Sequence, residues 1–386
     1  MIDEGEQMQL GLYLHIPFCQ QKCFYCDFPS YANKENLQEQ YVTALCNEIA
    51  LQGGLLSTEC VNTVYIGGGT PTALPIDLLI KVIQQVQDSF LLIDDVEFTI
   101  EVNPGTVNEE DLTRLYQVGV NRISFGVQSF QDDLLKRIGR IHTAQMAKNI
   151  IQSAAKIGFK NISLDLIYGL PEQTLENVKN SIAEAAMLPI NHISIYGLKV
   201  EEDTVFAKLA QQDKLNLPSE DEEDAMYEFI MQELPRLGYE RYEISNFAKR
   251  GFASRHNLKY WECLPYIGMG AAAHSFFGGK RFYNETKLER YIQQINTAGR
   301  AVVHEERLDC KALIEEFCFL GLRKQSGVNL QEFEQRFGLA MHELYGAKIA
   351  RLKKQELLIE REGRIFLSYR GMKYGNQVFC EFLLDS

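Results

Sequence analysis

Short β-rich runs alternate with longer stretches of helical period over the first 237 residues of the chain. The strand candidates are LYLHI (12–16), NTVYIG (62–67), VEFTIEV (96–102), NRISFGV (121–127), NISLDLIYG (161–169) and HISIYGL (192–198). Between them apolar residues recur at helical spacing, as in Leu78, Leu79, Val82, Ile83 and Val86, which gives a helix one buried stripe. A second such stretch, TAQMAKNIIQSAAKIG, ends at Gly158 just before the next strand. Six strands each followed by a helix predict an α/β fold with a parallel sheet and right-handed crossovers. Periodicity alone leaves two closures open, a partial barrel and a doubly wound sheet.

After about residue 240 the alternation stops. Residues 241–304 read as an aromatic-rich connecting segment. From 305 a compact helical domain begins, with VNLQEFEQRFG (328–338) and HELYGAKIARLKKQELL (342–358) as helices and GRIFLSYRG (363–371) as a strand and turn. That order of elements is winged-helix-like. The expected division is therefore 1–240, 241–304 and 305–386.

Composition narrows the function classes. The net charge of −13 excludes broad nucleic-acid binding, which needs a basic face. The acidic run EDEED (220–224) reads as a solvated first helical turn, where carboxylates suit the helix dipole. The stretch from Lys348 to Lys373 is locally basic and reads as a packing or docking module. The opening MIDEGEQMQL has no basic flank followed by an apolar run, so no signal peptide is expected. No apolar run approaches the roughly 18–20 residues of a membrane span. Of nine cysteines, Cys46, Cys60, Cys263, Cys310, Cys318 and Cys380 are scattered and read as small buried hydrophobes. A reducing cytoplasm fits that usage.

The chemistry gathers at the strand ends. GGGTPT (67–72), EVNPG (101–105), GVQSF (126–130) and DLIYGLP (165–171) each follow a strand, and in parallel α/β folds those loops form the ligand face. The loop after the first strand, HIPFCQQKCFYCDFPSY, carries Cys19, Cys23 and Cys26 at Cys-x3-Cys-x2-Cys spacing. Zinc normally closes with four ligands, and no second pair stands nearby. A disulfide is disfavoured by compartment. A 4Fe–4S cluster held by three thiolates keeps one iron open to an external ligand. Phe24, Tyr25 and Phe28 interleave the thiols and would shield such a cluster from water.

Cys-x3-Cys-x-Tyr-Cys after a first strand, followed by GGGTPT, resembles the radical S-adenosylmethionine (SAM) superfamily. The ordered set YLHIPFC, GGGTPT, EVNP, GVQSF and DLIYGLP is similar to the branch containing oxygen-independent coproporphyrinogen III oxidase. The resemblance runs over about residues 10–385. It implies a partial (β/α)6 barrel with a C-terminal helical, winged-helix-like domain. It further implies that Cys19, Cys23 and Cys26 ligate the cluster, and that Tyr13, Gly68 and Glu101 line a first SAM site. Gly69, Thr70, Gln128, Arg140 and Asp165 match positions that hold a second SAM in the oxidase. Lys199 aligns where the oxidase has a small residue, which puts that second site in question.

Two departures separate the relatives. The oxidase has a fourth cysteine two positions after the third, where this chain has Asp27 and Phe28, and it has a longer N-terminal extension. Both differences fit the shorter HemW-type haem chaperones. His256, Asn257, Tyr260 and Trp261 match the His-Asn-x-x-Tyr-Trp motif of those chaperones, which implies that His256 contacts haem. His274, in GMGAAAHS, reads instead as part of a close backbone packing. The resemblance implies a cytoplasmic haem chaperone without coproporphyrinogen oxidase activity. It would bind a 4Fe–4S cluster, SAM and haem, and deliver haem to membrane-associated respiratory haem proteins. The alternative is the oxidase itself, cleaving SAM to a radical that attacks propionate side chains. Dimerisation, SAM cleavage and the mode of haem attachment are left open.

Overall fold

Six parallel strands stand side by side in sequence order in the computed structural model of the chain, which describes residues 9–384. They are β1 (Gln9–Ile16), β2 (Cys60–Gly68), β3 (Leu91–Val102), β4 (Arg122–Gln128), β5 (Asn161–Tyr168) and β6 (His192–Gly197). The leader reading at the chain start falls mostly on residues 1–8, outside the described residues. Order 1-2-3-4-5-6 settles the question that periodicity left open. Crossovers that all turn the same way put every helix on one face, so the sheet curls with its other face inside, as in a (β/α) barrel.

Alternation along each strand sets what each face carries. Leu12, Leu14 and Ile16 of β1, Val64 and Ile66 of β2, Ile100 of β3 and Phe125 of β4 point to the helices and join one large core. Leu79, Val82, Ile83 and Val86 fill it from the helix Ile76–Ser89, as their spacing predicts. The loops start helices with side-chain caps: Asn108 with Asp111, Thr174 with Asn177, and Ser219 with Glu222. EDEED is the first turn of that last helix, Glu220–Arg236.

Beyond β6 the sheet continues antiparallel through β7 (Glu240–Arg241) and β8 (Asn246–Ala248). At the other edge β9 (Tyr266–Met269) runs parallel to β1, followed by antiparallel β10 (His274–Phe277), β11 (Lys280–Asn284) and β12 (Val302–Arg307). The segment expected as a connection is thus woven into the main sheet. Its strands at that edge are only four to six residues long, and β10 and β11 carry aromatics on both faces, so no alternation announces them. The last domain packs helices Cys310–Gly321, Leu330–Phe337 and Met341–Lys354 against a small sheet, β13 (Val328–Asn329), β14 (Leu358–Arg361) and β15 (Arg364–Leu367), in winged-helix order. Cys310 and Cys380 are exposed, against expectation, because each sits at a helix end on the solvent side.

One buried carboxylate ties the added edge to the barrel. Glu48, on the helix Gln38–Leu55, accepts hydrogen bonds from the Gly270 N–H (2.8 Å), Asn284 Nδ2 (2.7 Å) and the Tyr291 hydroxyl (2.6 Å). Replacing it by alanine leaves three buried donors unpaired. Glu48→Ala is expected to cost about 3 kcal/mol or more, read as a lower urea midpoint with an unchanged slope. An unmoved midpoint would show that this network does not hold the edge.

Candidate functional site

The face of β1–β6 turned away from the helices is polar. At its C-terminal mouth a cavity of about 370 Å³ is lined by Cys19, Cys23, Cys26, Gly68, Gly69, Thr70, Glu101, Gln128, Arg140 and Asp165. Every residue expected in the cluster and SAM sites is therefore brought to one cavity, with the exception of Tyr13. Lys199 stands at its rim, exposed and paired with Glu201 at 2.6 Å.

The cysteine loop is anchored from below and from the side. Phe24 and Tyr25 pack on a satellite core of Leu134, Leu135, Ile138, Ile167, Leu170 and Phe206, so these two aromatics hold the loop down. The Phe24 N–H donates to the Ile138 carbonyl at 3.1 Å. On the other side His15 Nε2 donates to the Pro29 carbonyl at 2.8 Å, which leaves Nδ1 to accept from the Tyr13 hydroxyl at 3.0 Å. Burial pulls His15 down, keeping it neutral. Phe28 alone of the three aromatics stays out, 62% exposed.

The thiols have donors aimed at them. Arg140 Nη1 donates to Cys23 Sγ at 3.4 Å and the Thr70 hydroxyl to Cys19 Sγ at 3.7 Å. Burial pushes the Cys19 and Cys26 thiols up, so a bound cation is needed to hold them as thiolates. A Cβ at Gly69 would lie 3.0 Å from Cys19 Sγ and 2.8 Å from the Phe18 carbonyl, so that turn admits only glycine without a shift. Among the described residues no three His, Cys, Asp or Glu side chains converge on a single ion position. Three thiols around one cavity, each free to meet a different iron, fit a cluster.

Glu101 stands behind the glycines. It accepts from the Tyr65 hydroxyl (2.7 Å) and the Gly68 N–H (3.1 Å). Burial pushes its carboxyl up to about 7, with Asp165 adding to the rise and the two hydrogen bonds opposing it. Arg122, 2% exposed, lines the same cavity, and its Nε has no hydrogen-bond partner among the described residues. The sequence offered no signal for Arg122 beyond its place in a strand.

Tyr13 lies outside that cavity, and of the His-Asn-x-x-Tyr-Trp helix, Arg255–Trp261, only Asn257 lines it. Tyr13, Tyr260 and Trp261 line a second cavity, of about 460 Å³, beside the first, and Phe28 lines both. His256 does not line either one. It is buried, with Nδ1 2.9 Å from the Thr63 hydroxyl and Nε2 2.8 Å from the Tyr260 hydroxyl. Its own N–H and that of Arg255 donate to Glu97, each at 3.0 Å. Burial lowers its pKa to about 3. With both nitrogens engaged, His256 presents no free lone pair here, and the axial-ligand expectation is not met by this arrangement.

A sequentially wound parallel barrel with three thiols and a glycine-rich turn at its mouth is a radical SAM fold. Residues 13–185 match the Radical SAM superfamily, and residues 308–373 match the HemN C-terminal domain. The fold superimposes on coproporphyrinogen III oxidase (HemN) from Escherichia coli, a radical SAM enzyme, with a TM-score of 0.87 and 25% identity over 98% of this chain and 90% of that one. Sequence relatives are named haem chaperone HemW. The protein from Bacillus subtilis is 40% identical over 96% of this chain and 98% of its own. That from Lactococcus lactis is 40% identical over 97% of each. This chain belongs to the HemW haem chaperone family.

The raised Glu101 carboxyl has a stability consequence in the ligand-free protein. A folded pKa above the ordinary 4.5 means that the contribution is full below pH 4.5 and is lost as pH rises through about 7. Between those limits the stability of the wild type relative to Glu101→Gln is expected to fall by on the order of 3 kcal/mol. Urea denaturation at a series of pH values measures it. A difference that stays constant with pH would return Glu101 to an ordinary carboxylate.

Proposed function

We propose that this chain is a cytoplasmic haem chaperone that holds a 4Fe–4S cluster and SAM at the barrel mouth and hands haem to membrane-associated respiratory haem proteins. The observation that carries the reading is the gathering of Cys19, Cys23 and Cys26 with Gly68, Gly69 and Glu101 in one cavity of a HemW-family chain. When bound, the cluster supplies one-electron chemistry and an iron with an open position. The chain's own residues do the rest. Cys19, Cys23 and Cys26 hold the irons, while Arg140 and Thr70 donate to the sulfurs. The glycines would let SAM approach the backbone, and Glu101 would contact the same cofactor, its carboxylate suiting a ribose hydroxyl or the sulfonium. Gln128, Arg140 and Asp165 would contact a second SAM, with Lys199 at the rim of that site. Tyr260 and Trp261 would hold haem in the neighbouring cavity, and His256 would serve it by fixing the Tyr260 hydroxyl.

Among the described residues no helix is long and apolar enough to cross a membrane, so delivery on this reading is by contact with an acceptor. The second reading, oxygen-independent coproporphyrinogen III oxidase, draws on the fold likeness to HemN. Phe28 at the position of the oxidase's fourth cysteine speaks against it.

Anaerobic reconstitution is expected to give about four irons per chain, and none in the Cys19→Ala, Cys23→Ala, Cys26→Ala triple variant. Stoichiometric zinc without iron uptake would sink the cluster assignment. Reconstituted protein given coproporphyrinogen III, SAM and reductant is expected to yield no protoporphyrinogen; its formation would replace the chaperone reading with the oxidase.

A further inference from the structure

The second cavity contains a histidine with nothing to do. The chain has seven histidines, all within the described residues. His15, His142, His192 and His256 are buried with ring nitrogens hydrogen-bonded to protein partners. His304 faces Glu306 at 3.9 Å and His342 faces Glu360 at 3.1 Å. His274 makes neither a side-chain hydrogen bond nor an ion pair. It is exposed, lines the aromatic cavity, and is held in orientation by stacking on Tyr283 with ring centroids 4.9 Å apart.

Its surroundings suit a flat, largely apolar ligand carrying a metal and acidic edges. The sheet face that carries His274 also carries Phe276 and Arg281, paired across β10 and β11, while Tyr260, Trp261 and Phe28 supply further walls. The cavity, at about 460 Å³, is within the roughly 300–1,000 Å³ range of small-molecule sites. Trp261 Nε1 is buried without an acceptor. Arg281 is fixed by Glu316 through Nη1 (2.6 Å) and Nη2 (2.8 Å), which leaves its remaining N–H groups for a carboxylate. Burial and the nearby Arg281 lower the His274 pKa, so the imidazole is neutral at pH 7 and keeps a lone pair.

We infer that His274 is the protein ligand to haem iron, with the porphyrin lying in this cavity against Tyr260, Trp261 and Phe28. The bond is a dative one from the imidazole lone pair, with no change of oxidation state. The inference rests on the haem-chaperone reading above and moves the ligand out of the His-Asn-x-x-Tyr-Trp motif, leaving that motif to build the wall.

Titration of the reconstituted full chain with ferric haem and, separately, with iron-free protoporphyrin IX tests it. His274→Ala is expected to weaken haem binding at least about tenfold and to shift the Soret band, and added imidazole should restore the band. Iron-free porphyrin, which asks for no axial bond, should bind the variant and the wild type alike. Unchanged haem affinity and spectrum in His274→Ala, with haem bound by the wild type, would overturn the ligand assignment and leave the chaperone reading standing. Equal loss of both porphyrins would make His274 a structural residue and overturn it too. A wild type that binds no haem would overturn both.

Discussion

A sheet wound in one direction has an inside, and in this protein the inside is polar. His15, Thr63, Thr99, Arg122, Ser124, Ser163, His192 and Ser194 are buried there, on the face opposite the apolar residues that meet the helices. A buried polar group without a partner costs roughly 2–7 kcal/mol, so this face must be paired or filled. Toward the N-terminal ends of the strands it is paired by a plug. Thr63 meets His256, Glu97 accepts from the N–H groups of Arg255 and His256, and His192 lies between Ser163 (2.7 Å) and Tyr242 (2.8 Å). Lys259, on the same plugging helix, donates to the Gln9 carbonyl at 2.7 Å. Toward the C-terminal ends the pairing thins: Glu101 keeps the Tyr65 hydroxyl and the Gly68 N–H, Asp165 keeps the Ser124 hydroxyl, and the Arg122 Nε has no partner among the described residues. Glu101, Arg122 and Asp165 remain around open space, and the cysteine loop covers it. The thiol-lined cavity is the part of the polar interior that the chain leaves open.

That division explains which features the sequence discloses. The six strands, the first turn at EDEED and the residues of the barrel mouth follow from local rules: periodicity, capping, and turn residues after strand ends. The burial of His256 follows from none of them, because its partners Thr63 and Glu97 lie more than 150 positions away along the chain. The aromatic cavity was hidden for the same reason, and also because β9 to β11 are too short to alternate visibly. Tyr13 is the expected SAM-site residue that lies outside the thiol-lined cavity. It is on the expected strand, its hydroxyl is bonded to His15 and its ring lines the aromatic cavity.

Asp27 and Phe28 gain a structural meaning beyond the loss of a thiol. Phe28 is the one large apolar side chain of the loop left exposed, and it is the shared wall of the two cavities. A cysteine there would be smaller and would open the partition. The aromatic cavity and the thiol-lined cavity share that single ring. The pairing of His15 with Pro29 fixes the backbone next to that ring, so the partition is positioned by β1.

The C-terminal domain belongs to this arrangement and is not an appendage. Its core of Phe317, Phe333, Tyr345 and Ile365 includes Cys263 and Phe276, which come from the barrel side. Glu316 and Leu320, on its first helix, close the aromatic cavity. A second seam joins the acidic helix to the basic end of the chain, where Lys373 pairs with Asp224 at 2.8 Å and with Glu228. Solvent-exposed pairs of this kind contribute roughly 0–1 kcal/mol each, whereas fully burying one large apolar side chain is worth about 1.5–3 kcal/mol. The shared apolar core therefore sets the position of the domain, and the charges set its register. Because that core includes Phe276, two residues along β10 from His274 on the same face, the seating of the domain and the shape of the aromatic cavity are one packing problem.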